Sequence, residues 1–281
     1  MSVSVRVRVH GSAAAKINLA LVVGPARGDG LHELTSITQR IDLCDDLTLE
    51  SADRLEVTGF RDDRLVESAL ERLAAAAGVS AGWRVHLTKR IPVAAGLGGG
   101  SADAAAALTL ANATLAKPLE RARLLELAAG LGSDVPFFLE PGPKLVEGAG
   151  ELLRPLRLPQ DYWVLVALPA GVTKGSTGEV YRRFDELGGG AGFGERRVRV
   201  LDVAGSCSRP DDLAALPPND LAPAAAPNAL PAALAAAGAF RSDVSGAGPA
   251  AYGLFREREH ALAAEASLPA GTRTWVVAPV W

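Results

Sequence analysis

The stretch Ile91-Pro92-Val93-Ala94-Ala95-Gly96-Leu97-Gly98-Gly99-Gly100-Ser101-Ala102-Asp103 constrains this chain more than any other. Four of the five residues from 96 to 100 are glycine. Glycine reaches positive φ without a Cβ clash, so such a loop folds back tightly and admits a ligand to its backbone. Ser101 is a good N-cap, and Ala102 to Ala107 favour helix. Ahead of the loop, Trp83, Val85 and Leu87 alternate with Arg84 and His86, which predicts a strand. The order is strand, glycine loop, helix. A helix start leaves N–H groups unpaired and carries partial positive charge, so it suits phosphate. The plainer reading is a flexible turn in a chain rich in Gly and Ala, and it suffices for Gly188-Gly189-Gly190. At residues 96–101 the apolar lead-in and the helix start favour phosphate. The loop lacks the Gly-Lys-Ser/Thr ending of a P-loop, and Ser101 stands where G-x-G-x-x-G needs its third glycine.

With 281 residues, 48% of them hydrophobic, the chain can bury a real core in one large domain or two modest ones. A net charge of −3 gives no general pull toward nucleic acid or anionic membrane. Cys44 and Cys207 have no metal-ligand spacing and read as reduced thiols. The start, Met1-Ser2-Val3-Ser4-Val5-Arg6-Val7, lacks the apolar run of a signal peptide. The Ala-rich segment 222–239 comes nearest to a membrane span, but prolines break it. The expectation is a cytoplasmic globular protein without nucleic-acid or membrane partners, a monomer or weak homodimer.

Val3, Val5, Val7 and Val9 alternate with polar residues and predict a strand; Ala14 to Val23 predicts a second, after Gly11. The period of two puts Lys16 and Asn18 on one face and Ile17, Leu19 and Leu21 on the other. A lysine there also suits a strand edge guarded against aggregation. His32, in Asp29-Gly30-Leu31-His32-Glu33-Leu34, fits a surface histidine in a polar turn equally well. Strand-like runs follow at 35–43, 47–49 and 55–57. Residues 64–77 predict an amphipathic helix with Leu65, Ala69, Leu70 and Leu73 inward. Ala102 to Leu115 continues as helix, and Pro118 opens another that ends at Gly130. Asp134, before Pro136 and an apolar run, reads either as a turn or helix cap or as a carboxylate held rigidly as a base. Beyond it, strands are expected at 162–168, 251–255 and 274–277. Helices are expected at 174–187, across most of 219–239, and at 256–267. The pattern resets near Pro155, which divides the chain into 1–155 and 156–281. Gly246-Ala247-Gly248 imitates a dinucleotide fingerprint, but too little chain follows for a Rossmann half.

Pro92 to Asp103 resembles the nucleotide-binding motif of the galactokinase, homoserine kinase, mevalonate kinase and phosphomevalonate kinase superfamily. Ala15-Lys16-Ile17-Asn18-Leu19, Asp29 to Leu34, the glycine loop and Leu131-Gly132-Ser133-Asp134-Val135-Pro136 occur in an order similar to one family within it. Its members are kinases of 4-diphosphocytidyl-2-C-methyl-D-erythritol, in the non-mevalonate route to isoprenoid precursors. The resemblance returns at Asn219-Asp220-Leu221 and at Ser245 to Pro249. It implies an α+β fold of two lobes: an N-terminal ribosomal protein S5 domain 2-like lobe that binds ATP, and a C-terminal ferredoxin-like lobe on the substrate side. ATP and substrate would lie in the cleft between.

The resemblance further implies ATP with Mg²⁺ and phosphorylation of the substrate's 2-hydroxyl. Pro92, Val93, Ala94, Ala95, Gly96, Leu97, Gly98, Gly99, Gly100, Ser101 and Ala102 would hold the nucleotide, with Ser101 a candidate contact to Mg²⁺. Asp134 would orient the hydroxyl and take its proton, and Lys16 would stabilise the transferring phosphoryl group. Asn18 and His32 would hold the substrate, with Gly246 and Gly248 lining the cleft. No side chain is assigned as a metal ligand. Three departures stand out. Leu31 replaces a common Tyr, Ala94 and Ala95 replace glycines of some relatives, and the usual Asn-Leu pair is missing at Asp63-Arg64-Leu65. The alternatives are another small-molecule kinase of the superfamily, acting on homoserine or phosphomevalonate, or a non-catalytic nucleotide- or RNA-binding protein. The Lys16 and His32 blocks argue against the first. Against the second stand the acidic balance and the lack of interleaved basic and aromatic residues.

Overall fold

The computed structural model describes residues 7–60, 64–172 and 176–281. The expected strand positions Val3 and Val5, the start of the helix expected from residue 174, and Asp63 lie outside them. The described chain is a mixed α+β fold that packs as two compact units: Met1–Ala15, Leu43–Val93 and Gly98–Pro141 form one, and Lys16–Asp42, Ala94–Leu97 and Gly142–Trp281 the other. Two long strands, β1 (Arg8–Ala26) and β2 (His32–Ser51), run through both. Among the described residues β1 runs unbroken through Gly11, so Val9 and the strand expected over Ala14–Val23 belong to one strand. Gly11 causes no break because its missing side chain makes room for Leu110, whose Cδ atoms would lie 3.2 Å from a Cβ there.

In the first unit, β3 (Glu56–Thr58) pairs parallel with β4 (Trp83–Thr88), and β4 pairs antiparallel with the end of β2, Leu47 opposite Leu87. Helix α1 (Arg64–Ala77) buries Val66, Ala69, Leu70, Leu73 and Ala74. Leu65, expected inward, is only partly buried. Helix α2 (Gly99–Thr114) presents Ala104, Ala107, Leu108 and Ala111 to the same core. Small alanines let it lie close, and truncating Leu70 or Leu73 there would cost about 2–5 kcal/mol.

Two helix starts differ from expectation. Helix α2 begins at Gly99, because Gly98 (φ 71°) makes the turn, so Ser101 lies inside the first turn and caps nothing. Helix α3 (Arg121–Ala129) starts three residues beyond Pro118, and its C-cap Gly130 is right-handed. Asn112 displaces that start: its side chain binds both the N–H and the C=O of Leu119, holding the connection extended. Helix α4 (Val135–Leu139) follows Asp134.

The second unit contains β5 (Lys144–Gly148), paired with β2, and β6 (Leu152–Pro155), paired with β5. A separate four-stranded sheet follows: β7 (Trp163–Leu168), β8 (Arg241–Val244), β9 (Ala251–Phe255) and β10 (Arg273–Val277), in the order β10-β7-β9-β8. Every pair in it is antiparallel. With α5 (Thr177–Glu186), α6 (Phe193–Ser206), α7 (Leu230–Ala236) and α8 (Arg258–Glu265) in the connections, this is the βαββαβ pattern and strand order of a ferredoxin-like lobe. The last strand, β11 (Pro279–Val280), returns to β2. Sequence periodicity misses β5, β6, β8 and β11. It also overestimates helix in 219–239: only α7 forms, since Pro223 and Pro227 lack N–H groups, while Pro231 is tolerated in the first turn of α7. No helix among the described residues is long and apolar enough to cross a membrane.

Candidate active site

In the second unit, β1 delivers Lys16 and Asn18 to one face, as its period requires. Both are buried, and the Lys16 ammonium donates to Asn18 Oδ1 at 2.7 Å. Asn18 Nδ2 donates to Ser36 Oγ at 2.8 Å and Thr38 Oγ1 at 3.3 Å, and Ser36 donates to Ala20 O. This chain fixes which way the Asn18 amide points and so aims its oxygen at the lysine.

Two glycine loops close on this pair. Lys16 N donates to Leu97 O at 2.9 Å, and Ala250 N to Ala95 O at 2.9 Å. Gly96 (φ 86°) touches the second loop so closely that a Cβ would stand 2.3 Å from Ser245 O and 3.0 Å from Gly248 O. The Ser245 hydroxyl adds a bond to Gly96 O at 3.0 Å. At Gly246 (φ 55°) a Cβ would lie 3.5 Å from Asn18 Oδ1 and 3.6 Å from Lys16 Nζ. Asn219 holds that loop from behind, donating to Val244 O and Gly246 O. Asp220, whose pKa burial raises against the opposing Val23 N–H and Arg196, binds the β1 backbone through Val23 N. Lys16, Asn18, Gly96, Gly246 and Gly248 therefore assemble. Sequence reading missed Ser36, Thr38, Ser245 and the clamping role of Asn219. Ser36 and Thr38 were readable as polar positions two apart on a strand.

His32 belongs to a second cluster in this unit. Its Nε2 is 2.8 Å from Asp185 Oδ1, its ring lies 4.9 Å from that of Tyr181, and Phe184 meets it edge-on at 6.0 Å. All three partners ride on α5. Nothing local in the sequence links them to His32, since about 150 residues intervene.

In the first unit, the loop runs into α2 through Gly98. The first N–H satisfied within the helix is that of Ala102, bonded to Gly98 O at 2.9 Å. The N–H groups of Gly99, Gly100 and Ser101 precede it at the positive end of a 16-residue helix with no acidic residue in its first turn. Pro92 leads in, Val93 is 62% exposed, and Ala94 holds a left-handed φ of 55°. Asp134 is exposed at the N-cap position of α4 and makes no capping bond to that helix. Pro136 in the first turn of α4 holds the backbone that carries it.

The profile of the GHMP kinases N terminal domain matches residues 64–142. A protein of Streptomyces avermitilis named 4-diphosphocytidyl-2-C-methyl-D-erythritol kinase is 39% identical over 99% of this chain and 97% of its own length. One of Salinispora tropica with the same name is 41% identical over 87% and 81%. A crystal structure of 4-(cytidine 5'-diphospho)-2C-methyl-D-erythritol kinase superposes with a TM-score of 0.78 at 31% identity, over 97% of this chain and 100% of that one. A mevalonate kinase structure superposes with a TM-score of 0.74 at 13% identity, which shows a shared fold.

Proposed function

The chain belongs to the 4-diphosphocytidyl-2-C-methyl-D-erythritol kinase family, and from that premise we propose how its residues divide the work of the reaction. The protein is an ATP-dependent small-molecule kinase. It moves the γ-phosphoryl group of ATP to the 2-hydroxyl of 4-diphosphocytidyl-2-C-methyl-D-erythritol, in the non-mevalonate route. One bond forms from the hydroxyl oxygen to phosphorus, one breaks to the β-phosphate oxygen, and the hydroxyl proton leaves. Little covalent chemistry falls to the protein, so positioning and electrostatics dominate.

Backbone N–H groups of residues 96–101 hold the phosphates at the start of α2, with Pro92 to Ala95 and Ala102 framing them. Asp134 orients the hydroxyl and accepts its proton. Lys16 offsets charge on the transferring oxygens. The observation that carries this reading is the buried Lys16–Asn18 pair closed in by Gly96 and Gly246, a cation prepared at a backbone-lined site. Asn18 and His32 hold the substrate, and Gly246 and Gly248 line its path. Leu31 offers no ring to a cytosine base, but Tyr181 beside His32 supplies one.

Mg²⁺ fits as a companion of ATP. It is bound largely by phosphate oxygens and water, so the lack of a cluster of three His, Cys, Asp or Glu among the described residues is no obstacle. The Ser101 hydroxyl is a candidate protein contact, and the ion's charge would neutralise the β- and γ-phosphates. A cytoplasmic setting, with a monomer or weak homodimer and no nucleic-acid partner, accords with the acidic balance.

Coupled ADP release with Mg-ATP tests the reading, offering 4-diphosphocytidyl-2-C-methyl-D-erythritol, homoserine and phosphomevalonate separately. Release with the first alone, lost in Asp134→Ala, is expected. Turnover of either other substrate would overturn the acceptor; full activity in the variant would remove Asp134 from the chemistry.

A further inference from the structure

Beneath the glycine loop lies a charge cluster that the reaction itself does not use. Lys89 follows β4, Asp45 lies on the last part of β2, and Asp103 is on the second turn of α2. Both carboxylate side chains are fully buried, and that of Lys89 is 13% exposed. The ammonium donates to Asp45 Oδ2 and to Asp103 Oδ2, each at 2.5 Å. It also lies 5.9 Å from the centre of the Phe60 ring. Asp45 Oδ1 takes the backbone N–H of Arg90 at 2.5 Å and of Ile91 at 2.8 Å. Burial works against the Lys89 charge, but the hydrogen bonds to Asp103 and Asp45 outweigh it and raise the pKa, so the lysine stays ionised.

The cluster ties together the end of β4, the two residues that lead into the loop, and α2. It meets the loop at Gly99, where a Cβ would stand 3.0 Å from Ile91 Cγ2 and 3.3 Å from Lys89 Nζ. Two carboxylates face one ammonium, so the cluster does not attract phosphate by charge. Its effect is on geometry. We propose that Lys89, clamped between Asp45 and Asp103, is a positioning residue that presets the glycine loop and the start of α2 to receive the nucleotide phosphates. This rests on the reading that residues 96–101 hold ATP.

The test is steady-state kinetics in both substrates, with melting curves, on Asp103→Asn, Lys89→Met and Gly98→Ala. Asp103→Asn keeps the shape and removes the charge, and it decides the matter should Lys89→Met not fold. A hydrogen bond to a charged group is worth enough for KM for ATP to rise about tenfold in Asp103→Asn and more in Lys89→Met. KM for the methylerythritol substrate and kcat should move less than twofold. An unchanged KM for ATP alongside a lower melting temperature would overturn the inference and leave the cluster a matter of stability. So would equal shifts in both KM values. Gly98→Ala separates the two claims: normal ATP affinity there would sink the loop reading itself, whereas weak ATP binding there with a normal Asp103→Asn would sink only the role of the cluster.

Discussion

Lys16 and Asn18 stand two apart on β1, so the strand's period alone puts them side by side, and their side chains bond at 2.7 Å. That neighbourhood was legible because it depends on local geometry. The Asp134 carboxylate was half legible. Its sequence fits a helix cap, and only the structure shows that it makes no capping bond to α4. In Asp134→Asn kcat should fall about 10²- to 10⁴-fold, the usual worth of a positioned base. Lys16→Met should lower kcat about 10²- to 10³-fold, since it deletes one preorganised donor to developing charge. Steady-state rates at saturating ATP check both; a loss under tenfold in either would remove that residue from the chemistry. The partners of His32 were illegible for the opposite reason. Tyr181 and Asp185 lie far along the chain, and no local pattern points from them to a histidine on β2.

Helix α5 shows what an element can be asked to do. It opens with a capping box: Ser176 Oγ accepts from Glu179 N, and Glu179 Oε2 accepts from Ser176 N. Val180 and Phe184 bury its inner face, and Tyr181, Phe184 and Asp185 meet His32. With His32 proposed to hold the substrate, the helix acts as a lever, so a fault at its start would reach that histidine without touching it. Ser176→Ala should cost about 1 kcal/mol of stability, the usual worth of a cap. KM for the cytidine-linked substrate should rise and KM for ATP should not. Equal shifts in both would break the link between α5 and the substrate. The sequence marks this helix well, because its apolar positions keep helical spacing. It marks the Ala-rich segment after Asn219 poorly. Alanine favours helix, but Pro223 and Pro227 break the backbone ladder there, and the one helix that forms starts where Pro231 fits its first turn. Ser101 misleads in a similar way. Serine favours caps, yet Gly98 reaches the left-handed turn first and starts the helix three residues early.

At the scale of the molecule, the two compact units interleave along the chain, so no single cut separates them. The second unit takes residues 16–42 from the first part of the chain and ties them to residues far downstream. Tyr252 donates to Leu19 O at 3.2 Å, Asp220 N donates to Leu21 O at 2.9 Å, and Val23 N donates to Asp220 Oδ2 at 2.8 Å. Pro279 pairs opposite Ile41, and Asp42 N donates to Ala278 O at 2.8 Å. A fragment of residues 1–155 keeps β1 and β2 but loses every one of these partners. It would leave backbone groups unpaired and expose Leu21 and Val23, which pack with Leu221 and Ala225 in the whole chain. Each uncovered side chain of this size forfeits roughly 1.5–3 kcal/mol of burial, and a domain's net stability is only about 5–15 kcal/mol. The fragment 1–155 should therefore show no cooperative melting transition and poor amide dispersion by NMR. Co-expression with 156–281 should restore a folded complex, since the pairing lost is non-covalent. A sharp, reversible transition in 1–155 alone would show that the first part of the chain folds without residues 156–281. The Pro-rich stretch around Pro155 marks a change of pattern in the sequence, but pattern reports local structure, and the bonds that decide independence join residues far apart along the chain, 197 positions for Val23 with Asp220 and 233 for Leu19 with Tyr252.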